Sequence, residues 1–318
     1  MIRPHRLYVG TIGEGLFLST DHGASFQRSC DGMFVECHVR ALVVHPRHPR
    51  VLFMGTEQGL FVSRDGAGNW QRVSSPLDGK QIWSLLIAPD PKLMLAGTCP
   101  AELFRSDDEG RTWREAKASP VRECPRIIHS RVTTLAAHPT EAATLFAGVE
   151  IGGLLRSRDA GLSWEPIGTG LSSLDIHDLV IQPGQMLAST NNDVNRSTDG
   201  AATWEKLGLP AKLPLPYFRA LTALPGKPDW LLLGNGDRPP GWTGTIARST
   251  DAGRTWQQAS FPGRANSTIW KFAVCPADDQ LVYAASVSGQ LYRSTDAGES
   301  WEKLPVEFGE IRALAWTE

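Results

Sequence analysis

The sequence predicts an all-β fold, a seven-bladed β-propeller of four-stranded antiparallel blades forming one domain over residues 1–318. Three observations predict it. An eight-residue phrase recurs seven times, each copy follows the same order of short apolar runs, and the two ends of the chain read as complementary parts of one blade. A period of about 40 to 50 residues in a chain of this kind means a propeller or an array of stacked units.

The phrase appears as STDHGASF from Ser19, SRDGAGNW from Ser63, SDDEGRTW from Ser106, SRDAGLSW from Ser157, STDGAATW from Ser197, STDAGRTW from Ser249 and STDAGESW from Ser294. Its third position is Asp21, Asp65, Asp108, Asp159, Asp199, Asp251 and Asp296. The chemistry is that of a hairpin turn: Asp accepts nearby backbone N–H groups, Gly takes a positive φ, and the closing Trp returns to the core as an apolar anchor. Ala67 and Ala201 stand where the other copies have Gly, and Phe26 stands where they have Trp, so those turns should be less ideal.

Around each copy lie an apolar strand, a second strand running into Gly-Thr or its equivalent, a third strand, the turn and a short fourth strand. In the second unit these read HVRALVVHP, RVLFMGT, GLFVSRD and NWQRV. Short strands at regular spacing, punctuated by Gly, Pro and Asp, argue for an all-β architecture. The chain begins at a second strand, RLYVGT, and finishes with EIRALAWTE, which matches the first strands. The C-terminal strand should therefore pair with the N-terminal blade and close the ring, removing two open edges.

The motif S-x-D-x-G-x-T-W resembles the Asp-box, or BNR repeat, of sialidases, sortilin-type receptors, xyloglucan hydrolases and photosystem II assembly-factor propellers. That resemblance covers almost the whole chain and implies the fold, with Asp21, Asp65, Asp108, Asp159, Asp199, Asp251 and Asp296 as structural turn residues; one superfold hosts many functions.

Bulk properties exclude some classes. Apolar residues make up 41% and charged residues 21%, ordinary for a globular core. With 32 Lys plus Arg against 34 Asp plus Glu, the net charge of −2 gives no long-range attraction for nucleic acid or an anionic membrane. No run reaches the roughly 18 apolar residues of a membrane helix, and MIRPHRLYVGTIGEG lacks a signal-peptide core. Cys30, Cys37, Cys99, Cys124 and Cys275 are odd in number and irregularly spaced, which fits reduced thiols. These features predict a soluble cytoplasmic monomer with no cofactor. No Cys or His pair has structural-zinc spacing, so no metal is expected.

Function is best sought opposite the repeated turns, where variable loops stand on a rigid frame. The innermost strands align as HVRAL, QIWSL, RVTTL, DIHDL, YFRAL, TIWKF and EIRAL. The second and fifth columns are apolar. The third column is Arg40, Trp83, Thr133, His177, Arg219, Trp270 and Arg312, side chains expected to converge on a channel mouth. Asp178 and Lys271 in the fourth column, and Asp175 and Glu310 in the first, add charge nearby. Asn191, Asn192 and Asp193 occupy one second-to-third strand turn. The Asn235 to Thr243 insertion, with Asp237, Arg238 and Trp242, occupies the next.

Arg forks suit carboxylate or phosphate, and Trp offers an apolar or sugar-stacking face. The expectation is a pocket for a small anionic ligand, such as a carboxylate, phosphate or acidic sugar. Ligand-binding candidates are Arg40, Trp83, His177, Arg219, Trp270, Lys271, Arg312, Asn191, Asp193, Asn235 and Asp237. Hydrolase or lyase chemistry stays open there, with His177, Asp178, Tyr217 and Asp237 as catalytic candidates and His177 as a lone general base.

The alternatives are a protein-protein interaction or assembly platform and a sialidase-like glycoside hydrolase. The sialidase resemblance implies an arginine clamp, which Arg40, Arg219 and Arg312 would imitate, and a tyrosine nucleophile, for which Tyr217 lies on the right rim. Seven blades instead of six, and the missing arginine-isoleucine-proline motif, depart from that family. A platform should expose apolar residues on a broad rim; a small-molecule site should form a deep bowl.

Overall fold

The computed structural model describes residues 5–120, 123–124 and 128–318. The first four residues and the Cys124 side chain lie outside the described residues. The chain has the predicted all-β fold, a seven-bladed β-propeller with seven four-stranded antiparallel sheets. Among the described residues, no helix is long and apolar enough to cross a membrane.

Numbered by their turns, the blades have innermost strands Ile311–Thr317, Ala41–His45, Gln81–Ile87, Val132–Ala137, Ile176–Gln182, Tyr217–Leu224 and Ile269–Cys275. They fall into two compact units: residues up to Cys30, Phe34–Val39 and Gly208–Glu318 form unit 1, with blades 6, 7 and 1, while Asp31–Met33 and Arg40–Leu207 form unit 2, with blades 2 to 5. Within unit 1 the C-terminal strand Ile311–Thr317 pairs antiparallel with Arg6–Thr11, Leu7 opposite Trp316 and Val9 opposite Leu314.

Each turn is held as its residues dictate. In blade 6 the Ser249 hydroxyl donates to Asp251 Oδ1 at 2.8 Å and accepts the Gly253 N–H at 2.9 Å. The carboxylate accepts the Thr255 N–H at 2.9 Å and its hydroxyl at 2.7 Å. The alanine variants keep this scheme: Ala67 and Ala201 hold φ of 74° and 68°, glycine having moved one place earlier to Gly66 and Gly200, and their N–H groups still donate to Ser63 and Ser197. The departure falls on the indoles. Trp113, Trp164, Trp256 and Trp301 donate to the carbonyl of the turn glycine, whereas the buried Trp70 and Trp204 N–H groups find no hydrogen bond among the described residues.

Adjacent blades pack by one rule. A small residue on the second strand of one blade faces the second-column residue of the next. A Cβ on Gly55, Gly97 or Gly148 would lie 2.5, 2.4 or 2.6 Å from the side chains of Ile82, Val132 or Ile176 in unit 2. In unit 1, Gly10 and Gly234 meet Val39 and Ile269 in the same way, at 2.4 and 2.7 Å. Around these contacts the blades bury aromatic and aliphatic cores, such as Phe53, Met94, Phe104 and Trp113 between blades 2 and 3 and Tyr283, Leu314 and Trp316 in unit 1.

Two outcomes follow. Gly148→Val has no room for its side chain and should lower stability by about 1–3 kcal/mol in urea unfolding; unchanged stability would refute the close-approach rule. The hydroxyl and N–H of Ser163 hold the Asp159 carboxyl down at about 2, and those of Thr203 do the same for Asp199, from an ordinary value of 3.8. Their folded pKa values are depressed, so their stabilisation is complete above pH 4 and is lost as pH falls toward 2. The melting temperature of wild type should fall steeply in that window, and the double variant Asp159→Ala, Asp199→Ala should melt lower at pH 7 with a shallower acid slope.

Candidate functional site

The third-column residues share a backbone device that the sequence does not announce: each occupies a β-bulge. Ile82 pairs with Thr98 and Ser84 with Gly97, leaving Trp83 as the extra residue. The same skip isolates Thr133, His177, Trp270 and Arg312. Arg219 and Ala220 together oppose Gly234, and Arg40 and Ala41 both bond or pair with Gly55. A bulge releases its residue from the ladder and re-aims the side chain. The strand end carrying these residues is opposite the repeated turns.

In unit 2 the Arg40 and Arg131 guanidiniums lie 4.7 and 4.2 Å from the Trp83 ring centroid, reaching it from the blades on either side. In unit 1 Arg219 and Arg312 lie 4.1 and 4.5 Å from Trp270. Each unit therefore builds one Arg–Trp–Arg stack, in which the indoles attract the cations through their ring faces. Acids compensate part of the charge: Arg131 Nε donates to Glu150, and Arg312 Nε donates to Glu310. Beyond Glu150, His177 Nε2 stands 3.3 Å from Asp175 Oδ1, and the Glu150, Asp175 and His177 donor atoms all lie within 4.8 Å of one another. Those three side chains could hold a metal ion.

Arg131 and Glu150 escaped the column alignment. Arg131 holds its first position, and Glu150 follows the second strand of blade 4 where blade 2 has Glu57. The legible signal was a charge at each of those places.

Several expected site residues have structural duties instead. The buried Thr133 hydroxyl donates to Ile176 O at 2.7 Å, tying blade 4 to blade 5. Asp178 accepts the Thr134 hydroxyl at 3.1 Å and the Leu179 N–H at 3.0 Å. Asp175 faces His177. Tyr217 is buried in a cluster with Trp270 and Val287. Asn235 is fully buried and donates to Leu215 O at 3.0 Å. Asp237 accepts the Trp242 and Thr243 N–H groups at 2.9 and 3.2 Å, closing its own loop. Asp193 is buried, with Oδ1 accepting the Val194 N–H at 2.8 Å. The side chain that accepts a hydroxyl from the neighbouring loop is Asn192, which bonds Ser172; Asn191 Oδ1 is buried without a hydrogen bond among the described residues. Lys271 shares the register position of Asp178, beside the bulge rather than on it.

No protein-family model matches the chain. The chain is similar to the probable oligoxyloglucan-reducing end-specific xyloglucanase of Neosartorya fischeri, 27% identical over 283 residues, which covers 81% of this chain and only 33% of that relative's length. Among solved structures, the Niastella koreensis GH74 enzyme superposes with a TM-score of 0.60 at 13% identity, covering 98% of this chain and 66% of its own. YCF48 from Cyanidioschyzon merolae superposes with a TM-score of 0.60 at 14% identity, covering 85% of this chain and 86% of its own. YCF48 bound to D1 peptide aligns with a TM-score of 0.55 at 17% identity, covering 83% and 81%. At these identities the likeness carries the fold, the seven-bladed β-propeller seen in the strand order.

Replacing Thr133 by Val removes the donor to the buried Ile176 carbonyl and should cost about 1 kcal/mol or more in urea unfolding. A variant as stable as wild type would show that this hydroxyl does not tie blade 4 to blade 5.

Proposed function

We propose that the chain is a binding propeller that receives a polypeptide segment of a partner protein at the bulged ends of its inner strands. The observation that carries this reading is where the large apolar side chains are exposed: among the described residues five of six lie on loops at that end. In unit 1 these are Phe34, 54% exposed, Val35 and Trp242, 76% exposed; in unit 2 they are Ile128 and Leu174, the latter 56% exposed, while the sixth, Leu162, lies in the repeated turn of blade 4. Exposed aromatic and aliphatic side chains of this size are typical of protein-binding surfaces, and Trp and Arg dominate their energetics. The stacks at Trp83 and Trp270, at the same end of the blades, supply pre-ordered Arg side chains suited to carbonyl or carboxylate oxygens of a bound chain.

The small-anion reading is weaker because Glu150 and Glu310 already engage Arg131 and Arg312, so each stack has about half the charge its guanidiniums suggest. A cleft of about 440 Å³ in unit 2 lies among His138, Arg156, Gln182 and Asp199, at the end of the repeated turns instead. The glycosidase reading draws on a relative of which this chain spans a third and on the GH74 fold, and the peptide reading on the YCF48 fold at a like TM-score, so the exposed side chains and not the likenesses favour the peptide.

Random displayed peptides selected on the purified protein test the proposal. Wild type should enrich a related set of sequences, and Trp242→Ala or Leu174→Ser, both at exposed positions, should weaken the selected peptides by about tenfold or more. Failure to enrich, equal binding by both variants, or release of sugar from xyloglucan oligosaccharides by wild type would overturn it.

A further inference from the structure

We propose that Glu150, Asp175 and His177 form a binding site for a divalent transition-metal ion of the zinc class. The three residues come from two adjacent blades of unit 2. Glu150 follows the second strand Leu145–Val149 of blade 4, while Asp175 and His177 flank Ile176, the first residue of the inner strand of blade 5. The bulge at His177 turns its imidazole toward Asp175, and the ring is fully buried.

The donor set argues for a metal over a plain hydrogen-bond cluster. Two carboxylates lie with an imidazole nitrogen inside a 4.8 Å sphere, and their side chains are only 13% and 18% exposed. Like charges this close and this poorly hydrated repel each other. Arg131 bonds Glu150 and His177 faces Asp175, and a doubly charged ion would bring both carboxylates and the imidazole to one centre. One imidazole and two carboxylates suit zinc and its neighbours, while calcium and magnesium prefer more oxygens. Ligands about 2.0–2.2 Å from one ion sit about 3–3.5 Å apart, so donor atoms that lie up to 4.8 Å apart need to close by at most about 1–2 Å.

The surroundings are those of a held site. Arg131 bonds Glu150 through Nε, fixing the direction of that carboxylate, and is itself stacked on Trp83. The Thr133 hydroxyl bonds the carbonyl of Ile176, the residue between the other two ligands. Such outer partners fix the orientation of metal ligands. Three protein ligands leave a coordination position for water or for an oxygen of a bound molecule.

The test is independent of any peptide. Zinc chloride titrated into chelator-treated protein should bind one equivalent with a Kd of about 10 μM or tighter and raise the melting temperature. Glu150→Gln and Asp175→Asn, each checked for an unchanged metal-free melting temperature, should weaken binding by about tenfold or more. Should one of them fail to fold, the other decides. Cobalt(II) in place of zinc should give visible d–d bands without the near-ultraviolet thiolate band that binding at Cys30, Cys37 or Cys99 would produce. Absence of zinc binding below about 1 mM, equal binding by the folded variants, or a thiolate band would overturn the proposal.

Discussion

The contact on which the rest depends is the close approach between a small residue on the second strand of one blade and an apolar side chain at the start of the next. At Gly55, Gly97 and Gly148 there is no space for even a Cβ, because Ile82, Val132 and Ile176 occupy it. This fixes how near two sheets lie and the height at which one meets the next. The second-column residue is thereby a buried core position. The residue after it would point to the other face of a regular strand, and at that place the inner strand carries its bulge, which frees the third-column side chain from ladder pairing. The candidate site thus stands directly beside the blade contact.

Much of this was legible because the residues involved have few substitutes. A turn needing a carboxylate, a hydroxyl and a left-handed backbone must be written with Asp, Ser or Thr, and Gly, and its repetition gives blade count and strand order. The third column could be found through equivalence between blades. The bulge itself could not, since Arg, Trp, Thr and His all occupy it and no residue type marks it. For the same reason the column predicted the direction of Trp83 and Trp270 but not what touches them. Arg131 and Glu150 enter from a first-column position and from the end of a second strand. The local ties of the short polar side chains were not legible either: Asn235, in the strand Lys227–Gly236, donates to Leu215 O, while Asp237 and Asp193 accept backbone N–H groups close by.

Counting charges along a column also overstates the field they create. Three arginines suggest an anion clamp, but a guanidinium at a narrow strand end loses water on packing and must recover it from neighbours. Here the neighbours are indole faces and the carboxylates of Glu150 and Glu310. A cation so placed is pre-ordered and partly compensated.

The two ends of the blades are governed by different economies of hydrogen bonding. At the turn end each carboxylate and hydroxyl is committed to the local backbone, as Asp251 and Ser249 are, and the closing Trp is drawn into the core. A change there strikes the fold. At the bulged end the ladder is already interrupted, so a third-column side chain can be exchanged without removing a strand hydrogen bond. Thr133 marks the boundary between these regimes, because there the bulge position is given to a tie between blades, next to the imidazole of His177. The frame can hold one position of a repeated column for its own stiffness while its neighbours stay free to carry chemistry. That division lets Arg, Trp and His share a register with Thr on one frame of repeated turns.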